Sequence, residues 1–173
     1  MAFQKKEQLC SQRLTLTTNT QGYMIPFKNV TLADKPVIER FTLSGECENA
    51  ALSFDNVWEG RHETNARYAI VEGMLVFRFE TDGRFTYSMP LGRGNLRFAL
   101  MQMMEDADTM RMSCRLSGLT EKDIDAVKTA MPGYYAFEEE NGADCDVKKY
   151  RAVPLTNYTN SIFFNNEGMV PPP

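Results

Sequence analysis

The sequence predicts an α/β fold in which helices flank a mixed, mostly antiparallel sheet. Runs rich in β-branched and aromatic residues alternate with runs whose apolar residues recur at helical spacing. Their order is strand, two helices, three strands, helix, strand, helix, strand. The glycine-rich stretch Met89–Leu96 joins the third strand of a meander to a strongly amphipathic run. Because glycine tolerates the backbone angles of a sharp strand-to-helix turn, this junction supports the same fold.

The first elements are a strand and a helix. Ile25–Val30 alternates apolar and polar residues, which is typical of a short strand. Thr31 and Asp34 can each cap a helix, and Pro36 then falls in its first turn, where the missing N–H costs little. Gly45 is the expected stop signal for this helix.

A second helix is predicted over residues 46–60, because Ala51, Phe54, Val57 and Trp58 recur at helical spacing. Trp58 is most simply a core or interface anchor. The alternative, that its ring lines a ligand pocket, stays open at this point.

A β-meander follows the second helix. Its strands are predicted at Arg67–Val71, Met74–Phe79 and Phe85–Met89, which are dense in β-branched and aromatic residues. Glu72-Gly73 and Asp82-Gly83 supply the two hairpin turns.

The helix after the glycine junction carries one apolar stripe that indicates core packing. Its members are Leu96, Ala99, Leu100, Met103, Met104 and Ala107. Asp106 and Asp108 lie near its end, where negative charge opposes the helix dipole, so this end is expected to fray. A strand is then predicted at Met110–Leu116.

The last predicted elements are a helix and a strand. Thr120 and Asp123 have the spacing of a capping box, and the helix they begin ends at Pro132. Tyr134–Phe137 is the final strand, and Glu138–Glu140 is interpreted as its solvated end. The domain is therefore placed at residues 24–150. Residues 1–23 are expected to be a flexible extension, and residues 151–173 a tail that packs in part.

Composition and charge weigh against several function classes. The 173-residue chain has a net charge of −4 and a pI of about 5.1. Nucleic acids and anionic membranes attract basic surfaces, so neither is expected as the main partner. No apolar run approaches the ~20 residues that span a bilayer, and no apolar segment follows Lys5 and Lys6 as in a signal peptide.

The four cysteines, Cys10, Cys47, Cys114 and Cys145, are widely spaced and form no CxxC unit. With His62 as the single histidine, this spacing disfavours a zinc site, and no metal is expected. The pattern also differs from that of disulfide-dense secreted proteins. The cysteines are therefore interpreted as free thiols in a reducing compartment, and the protein as cytoplasmic.

The strand–turn–helix junction is a candidate anion site formed by Gly92, Arg93, Gly94 and Asn95. A glycine-rich turn at a helix start can direct unpaired backbone N–H groups at a phosphate. Two glycines in such a turn are also common where a strand and a helix only need to pack closely, so the pattern alone is weak.

No catalytic residue is identified from the sequence. Acyl transfer to an amine needs a general base, or a water path to one. Four residues on or near predicted strands could serve: Glu72, Glu80, Tyr87 and Tyr134. Four arginines could bind an anion, although a solvated face explains them more simply: Arg93, Arg97, Arg111 and Arg115. His62 lies in a polar loop and is interpreted as a surface residue.

The order of elements resembles that of the GNAT acyltransferase superfamily. In that superfamily the turn after the fourth strand has the form Arg/Gln-x-x-Gly-x-Gly/Ala, and its amides hold the pyrophosphate of acyl-coenzyme A. The aligned stretch here is Met89–Gly94, in which both glycines match and the first position does not. The resemblance implies a GNAT-like fold with a donor bound at Gly92–Asn95.

A more specific resemblance covers residues 24 to about 140. Six segments look like the N-terminal half of the bacterial phosphatidylglycerol lysyltransferase C-terminal-domain family: Phe27–Lys35, Ser53–Trp58, Tyr68–Gly73, Pro90–Gly94, Leu116–Glu121 and Pro132–Glu139. Members resemble two GNAT domains in tandem, and the better-characterised relatives use aminoacyl-tRNA as donor. This sequence matches the following strand poorly at Asp144–Val147 and stops at Pro173. The resemblance therefore implies a first half whose expected partner is a second acyltransferase domain or another copy of the chain.

Two function hypotheses follow. The first is an acyl- or aminoacyl-transferase domain whose donor is acyl-coenzyme A or aminoacyl-tRNA. The second is a non-catalytic scaffold that supports a partner and binds no cofactor. A working site needs an open cleft beside the glycine turn, with the amides of Arg93, Gly94 and Asn95 unpaired and accessible. A scaffold would fill that cleft with side chains such as Leu91 or Met89. A nucleic-acid-binding module is disfavoured because no basic run carries interleaved aromatics.

Overall fold

A computed structural model describes residues 24–44, 47, 49–140 and 148–155 of the chain. Over these residues the chain forms one seven-stranded sheet and four α-helices. In chain order they are β1 (Lys28–Asn29), α1 (Lys35–Thr42), α2 (Phe54–Gly60), β2 (Arg67–Val71), β3 (Met74–Thr81), β4 (Arg84–Ser88), α3 (Leu96–Thr109), β5 (Arg115–Leu119), α4 (Glu121–Ala130), β6 (Tyr135–Glu139) and β7 (Tyr150–Pro154). Two short 3₁₀ turns, Leu32–Asp34 and Ala50–Leu52, precede α1 and α2.

The sheet is mixed and mostly antiparallel, as predicted. Its strand order is β1-β2-β3-β4-β5-β7-β6. Neighbouring described strands are antiparallel except β4 and β5, which run parallel and are connected through α3. This parallel pair lies near the centre of the sheet, so both of its strands are buried among neighbours.

The meander is built by two tight hairpins. Glu72 and Gly73 both have positive φ (51° and 76°), as do Asp82 and Gly83 (52° and 69°). Two consecutive residues with positive φ give the turn whose twist matches that of antiparallel strands. The predicted meander and both of its turns are thus confirmed.

Each face of the sheet is covered by one pair of helices. On one face α3 and α4 pack on the sheet, and all six residues of the predicted α3 stripe belong to this core or pack against it. On the other face α1 and α2 pack through Ile38, Phe54 and Val57 on Tyr68, Leu75 and Phe77. Residues of β2 and β3 alternate between the two clusters, as the two-residue period of a strand requires.

The first predicted strand and the second predicted helix are shorter in the structure. Only Lys28–Asn29 of the predicted strand Ile25–Val30 pairs with β2. The second helix begins at Phe54 rather than at residue 46, because Asn49 and Ser53 each cap a new turn with their side chains.

The strand after α3 was predicted five residues too early, and the expected fraying of α3 is wrong. Asp106 is fully buried, so the helix continues to Thr109, and β5 begins at Arg115 rather than Met110. The Asp106 carboxylate accepts hydrogen bonds from Ile25 N (2.9 Å), Arg78 Nη1 (3.1 Å) and Tyr87 Oη (2.9 Å). These contacts outweigh an unfavourable helix dipole, which is worth about 1 kcal/mol or less.

The sheet continues past residue 150, at which the sequence pattern places its end. β7 inserts between β5 and β6 and pairs with both of them. The predicted extension 1–23 and most of the predicted tail, including Ile162–Phe164, lie outside the described residues. Along the part of the chain that the structure covers, each helix is too short or too polar to cross a membrane.

Candidate functional site

The two parallel strands part at their carboxyl ends. Their pairing stops at Ser88 and Ser117. Gly118 then adopts a left-handed conformation (φ 68°), and the register between β5 and β7 shifts between Leu116 and Leu119. Such a bulge bends the strand and increases its twist. In α/β sheets, ligands bind where parallel strands part at their carboxyl ends, so this is the place in the fold to look for a site.

Two side chains hold the bulge in place. The Gly118 N–H donates to Glu140 Oε2 (3.1 Å), and the Gly118 carbonyl accepts from Asn49 Nδ2 (3.3 Å). A Cβ at position 118 would lie 2.5 Å from Asn49 Nδ2. Glycine is therefore required both by the backbone angle and by the close approach of Asn49.

A cavity of about 210 Å³, here called the turn cavity, opens at these strand ends. One wall is Met89–Gly92, directly after β4. The opposite wall is the start of α4, with Thr120, Lys122 and Asp123, and Phe41 from α1 contributes to the lining. The cleft beside the glycine turn is thus open, although Met89 and Leu91 both line it.

A second cavity of about 300 Å³, here called the bulge cavity, lies beside α2. Asn49, Leu52 and Gly118 line both cavities. Its polar lining comes mainly from α2, the end of β5 and the residues before β7. The two cavities therefore share a wall at the bulge.

The predicted anion turn is close to the turn cavity, but only Gly92 of its four residues lines it. Gly92 has φ 112°, and a Cβ there would lie 2.9 Å from the Phe41 ring. A Cβ on Gly94 would lie 2.1 Å from the Glu72 carbonyl oxygen. Both glycines are therefore required by packing, whatever else they do.

The remaining two residues of the turn are exposed. The Asn95 side chain accepts a hydrogen bond from Phe98 N (3.2 Å) and so caps α3. Arg93 is exposed as well and does not line either cavity. The lining also includes polar residues that the sequence did not single out, Lys122 and Asn49 above all. The signal for Lys122 was its place inside the predicted capping box, between Thr120 and Asp123.

The candidate general bases are scattered and none lines either cavity. Tyr87 is buried, and burial raises the pKa of its phenol well above the usual value, so it stays protonated and donates to Asp106. Glu72 lies at a hairpin and accepts from Gln102 Nε2 (2.6 Å). Glu80 accepts from Asn65 at the far end of β3, and Tyr134 lies before β6.

The four candidate arginines do not form one site. Arg93 and Arg97 lie at the start of α3, whereas Arg111 and Arg115 lie beyond its end. A helix of 14 residues spans about 20 Å, so the two pairs are far apart. Arg97 donates to the carbonyl of Ala130 (3.3 Å).

Trp58 and His62 also lie outside both cavities. Trp58 is half-buried, stacks on Phe54 (ring centroids 6.1 Å apart) and carries the Arg61 guanidinium on its ring at 3.3 Å. This agrees with an anchoring role. His62 is exposed, as predicted.

The interpretation of Glu138–Glu140 as a solvated strand end fails at Glu140. Glu138 and Glu139 are exposed, as expected of a solvated strand end. Glu140 instead lines the bulge cavity, and its carboxylate also accepts from Arg151 Nε (3.3 Å). Within residues 24–44, 47, 49–140 and 148–155, no three His, Cys, Asp or Glu side chains are placed to hold a metal ion.

Comparison with known proteins supplies a structural relative and no activity. No protein-family model and no curated protein matches the chain. The chain is similar to a crystal structure described as a conserved protein of unknown function from Bacteroides thetaiotaomicron VPI-5482. The two share 33% sequence identity with a TM-score of 0.65, over 68% of this chain and 40% of that one. The matched region thus spans about two fifths of the length of the Bacteroides protein.

Proposed function

We propose that the chain is a GNAT-like acyltransferase domain whose donor binds at the carboxyl ends of β4 and β5. The observation that carries the proposal is the parting of these two parallel strands over an open cavity that reaches the glycine turn. A ligand site is expected at this place in an α/β sheet. The resemblance of residues 24 to about 140 to an acyltransferase family supports the same assignment.

The cavity suits the acyl end of a donor better than a whole cofactor. Ligand pockets usually measure about 300–1,000 Å³, and the turn cavity is smaller. An acyl-pantetheine arm would fit between Met89–Gly92 and α4, with its phosphates outside the cavity near Lys122. When bound, such a thioester would supply the activated acyl group. The side chains here would orient it and exclude water.

Acyl-coenzyme A is favoured over aminoacyl-tRNA as donor. A tRNA requires a continuous basic face, because its phosphates dominate affinity. The net charge of −4 and the separation of the four arginines onto two ends of α3 weigh against such a face. The expected partner is a second acyltransferase-like domain or another copy of the chain.

The alternative is a non-catalytic scaffold, and one observation favours it. Gly92 and Gly94 are both explained by packing, against Phe41 and against the Glu72 carbonyl. A turn built for packing requires no phosphate. In that case the turn cavity is a residual gap, and the domain serves only to support a partner.

Titration with acetyl-coenzyme A and with free coenzyme A separates the two functions. At a ligand concentration ~100-fold above Kd, binding stabilises a fold by about 2.7 kcal/mol, which a thermal-shift assay detects easily. Lys122→Gln should weaken binding measured by calorimetry, whereas Lys148→Gln on the exposed β6–β7 connection should not. No shift with millimolar ligand would leave the scaffold as the better account. A substitution at Gly94 is unsuitable here, because it disturbs packing whether or not a ligand binds.

A further inference from the structure

The bulge cavity combines a concave shape with a polar lining. Its polar side chains include Asn49, Asn56, Ser88, Ser117, Glu140 and Lys149. Two of them, Glu140 and Lys149, carry charge. They face each other just after β6 and just before β7, where the Glu140 N–H donates to the Lys149 carbonyl (2.8 Å).

The two charges have different partners. The Glu140 carboxylate accepts from the Gly118 N–H (3.1 Å) and from the Arg151 guanidinium (3.3 Å), so its charge is balanced by a cation. The Lys149 ammonium lies 3.4 Å from Asn49 Oδ1, which is an uncharged oxygen. Because Arg151 pairs with Glu140 and offsets its charge, the Lys149 ammonium is the cationic group of the described lining.

Asn49 contacts the ammonium through Oδ1, and Nδ2 of the same amide group is a neutral donor. One N–H of its amide is used on the Gly118 carbonyl, and an amide nitrogen carries two. A lysine with an adjacent amide donor is a suitable receptor for a carboxylate or phosphate oxygen. Because Asn49 also lines the turn cavity, a molecule held here would extend towards the shared wall.

We propose that the bulge cavity is a binding site for a small molecule carrying an anionic group, a carboxylate or a phosphate, which Lys149 and Asn49 hold. If the turn cavity binds the acyl donor, the bulge cavity is the acceptor compartment, and that part of the assignment rests on the proposed function. The anion binding itself does not rest on it.

The test is a titration of the whole chain with inorganic phosphate and, separately, with acetate, at constant ionic strength and without coenzyme A. Backbone amide signals are followed by two-dimensional NMR. Saturable shifts at Ala51, Gly118 and Lys149 are expected, and the tighter of the two anions identifies the phosphate or the carboxylate source.

Three variants make the test specific. Lys149→Gln keeps a hydrogen-bond donor and should lower the affinity about tenfold, as the loss of one charge-assisted hydrogen bond does. Lys149→Arg should retain binding, and Lys148→Gln on the neighbouring exposed lysine should leave it unchanged. Shifts that never saturate, or that are the same in Lys149→Gln, would overturn the proposal. Coenzyme A titrations of Lys122→Gln, which alters the turn cavity and leaves Lys149 in place, test the donor site separately from the anion site.

Discussion

Arg78 and Asp106 form a buried ion pair that ties the centre of the sheet to α3. Arg78 Nη1 lies 3.1 Å from Asp106 Oδ2, and the side chains are 10% and 0% exposed. The guanidinium sits between the rings of Phe27 and Phe85, 4.5 Å from each centroid. Ile25 N and Tyr87 Oη donate to the same carboxylate, so this one side chain joins the N-terminal segment, the sheet and the helix.

Removing the Asp106 carboxylate should therefore be strongly destabilising. Asp106→Ala leaves the Arg78 charge buried without its partner, and we expect a loss of about 3–5 kcal/mol in the free energy of unfolding. Urea denaturation followed by circular dichroism measures it. Asp106→Asn, which keeps the shape of the side chain, should cost less. The matched control is Lys148→Gln, which removes an exposed ion pair with Glu139 and should change stability by less than about 1 kcal/mol. Similar losses for Asp106→Ala and the control would contradict this account.

Gly94 and Gly60 should respond oppositely to alanine. A Cβ on Gly94 would lie 2.1 Å from the Glu72 carbonyl oxygen and 2.7 Å from Met74 Cγ. Because the nearest atom is backbone, the hairpin must move, and we expect a loss of about 2 kcal/mol or more. Gly60 ends α2 and has no atom near its Cβ position, so Gly60→Ala should be neutral or stabilise by about 0.5 kcal/mol. The melting temperatures of the two variants test this prediction. An unchanged melting temperature for Gly94→Ala would show that the hairpin is not packed on this glycine.

Much of the fold could be predicted because short-range signals decide it. The α4 capping box is an example: Thr120 Oγ accepts from Asp123 N (3.2 Å), and Asp123 Oδ2 accepts from Thr120 N (2.9 Å). The meander turns are a second example, since the second residue of each is a glycine, Gly73 or Gly83, which adopts a positive φ without strain. Both features can be predicted from neighbouring residues alone.

The errors occur where distant residues decide the structure. Asp106 looks unfavourable at a helix end until Arg78, 28 residues earlier, is seen to pair with it. The site shows the same limit. Asn49 and Gly118 are 69 residues apart, and no local pattern reports that one holds the other. Glu140 shows the same limit, because its place in the cavity lining depends on where β7 pairs in the sheet.

The stability contributed by Asp34 should depend on pH. Burial alone would raise the pKa of its carboxyl, but hydrogen bonds from Tyr68, Thr31 and Lys28 hold that pKa well below the ordinary 3.8. The Tyr68 Oη to Asp34 Oδ1 distance is 2.6 Å. A lowered folded pKa stabilises the protein above the unfolded pKa, and this contribution is lost as the pH falls towards the folded value.

Asp34→Asn should accordingly cost about 2 kcal/mol at pH 7, as hydrogen bonds to a charged group do. The difference from the unchanged protein should shrink below about pH 4. Urea midpoints measured at several pH values give the comparison. Asp55→Asn is a suitable control, because Asp55 lies at the surface with its side chain 74% exposed. If the difference in stability between Asp34→Asn and the unchanged protein stays constant from pH 7 to the lowest pH measured, folding does not favour the carboxylate form of Asp34.

Cys47 should react with iodoacetamide, whereas Cys114 should not while the protein is folded. Cys114 is 3% exposed, and burial raises the pKa of its thiol to about 12, so almost none of it is thiolate at neutral pH. Cys47 is half-buried and lines the turn cavity. Peptide mass spectrometry after a short reaction locates the label on each cysteine, and the same reaction in urea shows that both thiols are chemically competent.

The same labelling reports on the cavity. Acetyl-coenzyme A bound between Met89–Gly92 and α4 would cover Cys47, so saturating ligand should slow its alkylation about tenfold while leaving the unfolded control unaffected. Protection of Cys47 that is lost in Lys122→Gln would place the ligand in the turn cavity. Labelling at the same rate with and without ligand, in a sample where calorimetry detects binding, would move the donor to another surface. Fast labelling of Cys114 in the folded chain would contradict the burial of the residue that directly precedes β5.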